Sequence, residues 1–159
     1  MIEVYRKYIL LGFVVFISVT LLITHIKGEK QDMVFKDDYQ KYQYSISSLR
    51  EEQYTTSIEI LQKLHQKYPN QANITRSLGL AYSLEGKNEI SALYFQKAVE
   101  QRPFIVQEPL FSVRYGEVLY RLKEYDISKQ YLEHSNKIES SKEYLQLIQS
   151  LLAEIQKYE

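Results

Sequence analysis

Pro69 and Pro103 stand 34 residues apart, and the residues ahead of them correspond position by position. Ahead of Pro103 run Leu78-Gly79-x-x-Tyr82 and then Ser91-x-x-x-Phe95-x-x-Ala98. Ahead of Pro69, at the same offsets, stand Tyr44-Ser45 and then Ser57-x-x-x-Leu61-x-x-Leu64. Proline has no backbone N–H to give and its ring collides with the preceding turn, so each proline marks the end of a helix. A period of this length is that of a helix–turn–helix unit, which cannot bury its apolar face alone and stacks on copies of itself. Such stacks present surface to partners and seldom perform chemistry.

The spacing predicts a first pair of helices over 38–49 and 54–67, closed by Pro69, and a second over 71–84 and 88–101, closed by Pro103. Gly86 supplies the turn between the second pair's helices because it can take positive φ. A third copy is shifted by 37 residues. Tyr115-Gly116-x-x-Leu119 answers Leu78-Gly79-x-x-Tyr82, and Ser128-x-x-x-Leu132-x-x-Ser135 answers the serine motif. The three extra residues fall at Val106-Gln107-Glu108, after which Pro109 can open a helix as its first residue. Ser140-x-x-Glu143 has the form of a capping box. Behind it Tyr144, Ile148, Leu151, Leu152 and Ile155 share one face of a last helix that would seal the stack. Ser45, Gly79 and Gly116 keep one helix of each pair slim where Ser57, Ser91 and Ser128 of the other cross it. Leu61, Tyr82, Phe95 and Leu132 fill the space between layers.

These residues make the region 38–158 resemble the tetratricopeptide repeat (TPR) family. The middle copy carries the family pattern at Leu78, Gly79, Tyr82, Phe95, Ala98 and Pro103, with Thr75 where the family often has Trp; the third copy has Ser140 in place of its closing proline. The expected fold is all-α: an N-terminal transmembrane helix, then a right-handed TPR-like α-solenoid of about three helix pairs (38–71, 72–105, 109–140), then a capping helix (141–158). In the family the first helix of each pair lines a concave face. The resemblance therefore implies that Tyr39, Tyr42, Ile46, Asn73, Arg76, Leu80, Ser83, Val113, Glu117, Tyr120 and Arg121 face a groove that takes a protein or peptide partner. Tyr and Arg are common recognition anchors, although Tyr39, Tyr42 and Tyr120 could equally cover the core's edge. The family's readers of chaperone tails hold a terminal carboxylate with Lys and Asn. The matching places in the first pair are Tyr42 and Ile46, which argues against that ligand here.

Residues 8–26 (YILLGFVVFISVTLLITHI) carry no Asp, Glu, Lys or Arg. A helix of this length at about 1.5 Å per residue approaches the roughly 30 Å of a bilayer's hydrocarbon layer. Its apolar residues lie on all sides, and Tyr5 and Tyr8 sit where an interfacial aromatic belt belongs. The reading is a single-pass cell-membrane anchor, with residues 1–7 as a short tail and 27–37 as a polar spacer. The rivals are a cleaved signal peptide, for which no A-x-A-like site follows the apolar core, and a buried soluble helix. Arg6 and Lys7 abut one end of the span, while Lys27, Lys30, Lys36 and Lys41 follow the other. The short tail with its adjacent basic pair favours an extracytoplasmic C-terminal domain.

Twenty basic and 20 acidic side chains leave no net charge, which excludes the basic excess of a nucleic-acid binder. With no cysteine there are no disulfides, thiolate metal sites or thiol catalysis. His25, His65 and His134 are isolated from one another, and no phosphate-binding loop, nucleophile elbow or metalloprotease motif occurs. The expectation is accordingly a non-enzyme without cofactor or metal. The alternative to a groove-binding module is a self-assembling membrane component, associating through the span or the last helix's Leu151/Leu152 face.

Overall fold

A computed structural model describes residues 2–138 and 144–158, with no strand among them. Among the described residues seven α-helices follow in order: α1 (Ile2–Arg50), α2 (Tyr54–Lys67), α3 (Ala72–Leu84), α4 (Asn88–Gln101), α5 (Pro109–Arg121), α6 (Tyr125–Asn136) and α7 (Leu145–Ile155). A 3-10 turn, Pro103–Gln107, separates α4 from α5. The chain divides into two units, Met1–Gln40 and Lys41–Glu159, and α1 contributes to both.

The first unit is helix throughout its described length. The expected spacer at 27–37 is therefore helical, Gly28 included. One glycine in a helix costs only about 1 kcal/mol, and the flanking Lys, Glu, Gln and Met are good helix formers. His25 and Glu29 also pair across one turn at 3.3 Å. The apolar window of this helix is long enough to cross a membrane by length and composition, and none of it is buried by protein. Ser18, Thr20 and Thr24 turn their hydroxyls back onto carbonyls three or four residues earlier, at 2.7–3.0 Å, so no hydroxyl among them is left bare on an apolar surface.

The second unit is the stack. Pro69 and Pro103 follow α2 and α4 by two residues, and Pro109 is the first residue of α5. Within each pair the turn has one geometry. Glu52, Gly86 and Lys123 all take positive φ (60°, 82° and 64°). The next residue's N–H reaches back to the carbonyl of Ser48, Tyr82 or Leu119, at 2.8–2.9 Å. This is the Schellman closure of a helix C-terminus, and it recurs at the repeat spacing.

Packing explains the small residues. The Ser91 hydroxyl donates to the Gly79 carbonyl, and the Ser128 hydroxyl to the Gly116 carbonyl, each at 2.7 Å and fully buried. A Cβ on Gly79 would lie 2.8 Å from the Phe95 ring; one on Gly116 would lie 2.9 Å from Leu132. The helices cross closely because nothing stands between them. Three apolar clusters follow along the stack. Leu49, Leu61, Leu64 and Leu78 build the first, Phe95, Ile105, Phe111 and Val118 the second, and Val113, Leu132, Ile148 and Ile155 the third. In the third, α7 closes the stack as the sequence predicts for a capping helix. The capping box proposed for it, Ser140-x-x-Glu143, lies outside the described residues.

Tyrosine rings pair within the second and third helix pairs and at the cap. Tyr82 stacks on Tyr94 (5.5 Å between centroids, 12° between planes), Tyr115 meets Tyr131 at 4.6 Å, and Tyr125 stacks on Tyr158 at 4.6 Å. Burial, helped by Tyr131 and Glu100 nearby, pushes the Tyr115 phenol up to about 12. Polar contacts also join the first two pairs. Gln101 Nε2 donates to the Pro69 carbonyl at 2.8 Å, Gln62 Nε2 donates to the Tyr82 hydroxyl at 2.7 Å, and Lys97 Nζ meets His65 Nε2 at 3.0 Å.

Candidate functional site

A groove of about 540 Å³ opens in the second unit. Residues of α1 (Tyr42, Gln43, Ile46), α3 (Arg76, Ser77, Leu80), α4 (Phe95) and α5 (Pro109, Leu110, Phe111, Arg114) line it, together with Glu108 from the link before α5. First helices of successive pairs thus supply most of the wall. Phe95 and Phe111, only 2 % and 4 % exposed, meet edge to face at 5.3 Å and form an apolar floor beside Ile46 and Leu80. The Tyr42 hydroxyl and Ser77 share a hydrogen bond of 3.1 Å, which fixes that phenol at the edge.

Two Arg–Glu–Arg triads carry the charge. Arg76 Nη1 donates to one oxygen of Glu108 and Arg102 Nη2 to the other. Arg114 Nη1 donates to one oxygen of Glu117 at 2.9 Å and Arg121 Nη2 to the other at 2.7 Å. Each carboxylate is thus shared by two guanidiniums through charge-assisted hydrogen bonds, and each triad keeps a net positive charge. Glu108 is also the N-cap residue of α5, yet its side chain makes no capping bond. It reaches across to α3 instead. Its backbone is held firmly: Ile105 is fully buried, the Glu108 N–H donates to the Ile105 carbonyl at 3.0 Å, and the Ser112 hydroxyl donates to the Val106 carbonyl at 2.7 Å.

Four of the eleven residues expected at a groove line this one: Tyr42, Ile46, Arg76 and Leu80. Tyr39 belongs to the first unit and is 58 % exposed. Asn73 is exposed on α3 without lining the groove. Ser83, Val113 and Glu117 are buried, so they do not face outward as expected. Val113 aligns with Arg76 by the 37-residue offset, but α7 covers that face of α5 and places Val113 in a core with Ile148 and Ile155. Glu117 is enclosed by its two arginines, and Arg121 is the outer one of them. Tyr120 packs on the third cluster, its ring 5.8 Å from Tyr125.

Gln43, Ser77, Phe95, Glu108, Pro109, Leu110, Phe111 and Arg114 were not foreseen as lining residues. Glu108 carried a signal, since it closes the three-residue insertion. Arg114 carried another, since it stands 37 residues after Ser77.

His65 lies away from the groove, between α2, α3 and α4. Lysine only donates, so Lys97 N–H bonds the His65 Nε2 lone pair, leaving Nδ1–H to face Thr75 Oγ1 at 3.5 Å. The Thr75 hydroxyl in turn donates to the Gln71 carbonyl at 3.2 Å. Burial first, and the Lys97 charge second, hold the imidazole below its ordinary value. Among the described residues no three His, Cys, Asp or Glu side chains group as metal ligands would.

No protein-family model and no curated protein sequence matches this chain. Solved structures do. The Yersinia enterocolitica type III secretion chaperone SycD, in complex with a peptide of the translocator YopD, matches with a TM-score of 0.62 and 18% identity, over 76% of this chain and 94% of its own. The TPR domain of Sgt2 from Aspergillus fumigatus matches with a TM-score of 0.61 and 15% identity, over 76% and 82%. The TPR2B domain of yeast Sti1, in its complex with pHsp70, matches with a TM-score of 0.63 and 11% identity, over 77% and 98%. The fold is TPR-like: an all-α stack of helix pairs preceded by a long apolar helix.

Proposed function

We propose that this protein is a membrane-tethered binding module whose groove holds a peptide segment of a partner protein, without catalysing a reaction. The observation that carries the reading is the groove itself: an aromatic and aliphatic floor of Phe95, Phe111, Leu80 and Ile46, edged by Tyr42 and ion-paired arginines. Concave, mainly apolar sites with a few placed polar groups are where ligands bind. A structure similar to this one, SycD, was solved with a peptide of YopD. The apolar helix over 8–26 supplies the tether, with the second unit on the extracytoplasmic side. Holding the groove at a bilayer raises the local concentration of a membrane-borne partner, so modest affinity suffices.

A photoreactive amino acid at position 42 or 76, in cells, tests the reading. One or a few defined adducts are expected, and they should disappear when Leu80→Arg fills the floor. An adduct pattern unaffected by Leu80→Arg, or no adduct at either position, overturns it.

A further inference from the structure

The groove is unevenly charged. Its α1 wall of Tyr42, Gln43 and Ile46 carries no charge, whereas α3 and α5 bring Arg76 and Arg114 to the lining. We infer that the groove takes an internal segment of its partner that is apolar on one side and acidic on the other, with Asp or Glu carboxylates seated on Arg76 and Arg114. The inference rests on the peptide-groove reading and names the class of peptide.

The positive charge is a surplus. Four arginines, Arg76, Arg102, Arg114 and Arg121, share two carboxylates, Glu108 and Glu117, so each triad keeps one positive charge. The chain as a whole is neutral, so the surplus is local. Hydrogen-bond donors are in surplus too. In these contacts each guanidinium commits one terminal nitrogen to its carboxylate. Arg102 Nε and Arg114 Nε have no partner among the described residues. The Arg76 and Arg114 side chains are 35 % and 30 % exposed, which leaves them within a ligand's reach. The two glutamates do not cancel these cations. They hold the guanidiniums in place, and a group already in place loses less entropy when a ligand binds it.

A carboxylate is the natural complement of such a group, since its two oxygens match the planar fork of a guanidinium. The floor beside Ile46 and Leu80 takes apolar side chains by burial. Floor and arginines together therefore ask for a ligand with both chemistries, while a basic segment meets like charge and is rejected. Two cations on two helices call for two carboxylates, and a chain end supplies only one. The α1 positions where the repeat family holds a chain end are Tyr42 and Ile46. The Tyr42 phenol is already shared with Ser77, and Ile46 has no side-chain donor.

The test is selection from a displayed library of random dodecapeptides on the whole 159-residue chain in nanodiscs, as wild type, Arg76→Gln, Arg114→Gln and Leu80→Gln. The peptides are fused to the display protein at their C-terminal ends, so no free chain end is offered. Peptides from the wild type should combine aliphatic or aromatic residues with Asp and Glu enriched several-fold over the library. One of them, synthesised with an amidated C-terminus, should lose about tenfold in affinity when its Asp and Glu become Asn and Gln, read by fluorescence anisotropy. That comparison needs no variant protein. On Arg76→Gln and Arg114→Gln the gap between the two peptides should shrink, and on Leu80→Gln both peptides should weaken. Thermal melts establish that the variants are folded. Neutral or basic peptides from the wild type, equal binding of the two synthetic peptides, or a gap unchanged in both arginine variants overturns the acidic preference and leaves the groove reading standing. Affinity restored to the neutral peptide by a free C-terminus assigns the arginines to a chain end and overturns the internal segment. No peptide that distinguishes wild type from folded Leu80→Gln overturns both readings.

Discussion

The second and third helix pairs cross through glycine, and the first crosses through serine. At the glycine crossings a buried serine hydroxyl reaches the opposing carbonyl at 2.7 Å in both cases. At the first crossing Ser45 replaces glycine, and its hydroxyl turns back to its own helix, to the Tyr42 carbonyl at 2.6 Å. The hydroxyl of Ser57, the counterpart of Ser91 and Ser128, is buried there with no hydrogen-bond partner. One Cβ and its hydroxyl suffice to lose the cross-helix bond. The bond belongs to the glycine as much as to the serine that donates it.

The largest expected effect bears on the glycines themselves. Gly79→Val should cost about 3 kcal/mol of unfolding free energy in urea, at the upper end for overpacking. Gly116→Val should cost measurably less, because Leu132 has rotamers to retreat into while Phe95 is wedged between Phe111 and Tyr115. Equal losses would break the distinction between the two crossings. Next come the hydroxyls. Ser91→Ala and Ser128→Ala should each lose about 1 kcal/mol, the net worth of one hydrogen bond. Ser57→Ala should lose almost nothing; a loss as large as that of Ser91→Ala would show that the first crossing is no different from the others.

The turns extend the comparison at a similar scale. Lys123→Gly should stabilise by up to about 1 kcal/mol, since a side chain at φ 64° is strained where glycine is not. Gly86→Ala should lose about as much. Differential scanning calorimetry of the two variants reads both signs.

The smallest effect concerns the junction of the first two pairs. His65 is held below the ordinary imidazole value of 6.5, so the folded protein resists its protonation. Its neutral form contributes fully above pH 6.5, and that contribution is lost as pH falls through the lower folded value. Melting temperature should decline from pH 6.5 to about 5, above the carboxylate range, and His65→Gln should flatten that decline. A wild-type profile flat across this window would remove the Lys97–His65 contact from the account.

The repeat was legible in the sequence because packing imposes it. Gly79, Gly116, Leu61, Phe95 and Leu132 hold their spacing since a small residue must meet a bulky apolar one at each crossing. The turn at Gly86 was legible for the same reason. Its equivalents at Glu52 and Lys123 were not, because strained backbone at a non-glycine residue leaves no compositional mark. The groove was legible only in part. Tyr42, Ile46, Arg76 and Leu80 follow from the pairing rule, but the same rule placed Val113 and Glu117 outward, where α7 and two arginines enclose them. Helix periodicity locates a face; it does not say which later element covers it. Glu108 was visible as an insertion, yet its reach to Arg76 is a tertiary fact. The helical run through 27–37 escaped a reading keyed to apolar periodicity, since a polar helix has none.

The tyrosine contacts have a spectroscopic consequence. With 15 tyrosines and no tryptophan, the chain's near-ultraviolet signal comes almost wholly from phenols. Ring pairs at 4.6–5.5 Å lie at the second pair, the third pair and the cap. Rings this close act as coupled chromophores, and their circular dichroism depends on mutual orientation. Release of the cap extinguishes the Tyr125–Tyr158 contribution while the two inner ones persist, so the molecule carries its own optical record of which layer has opened.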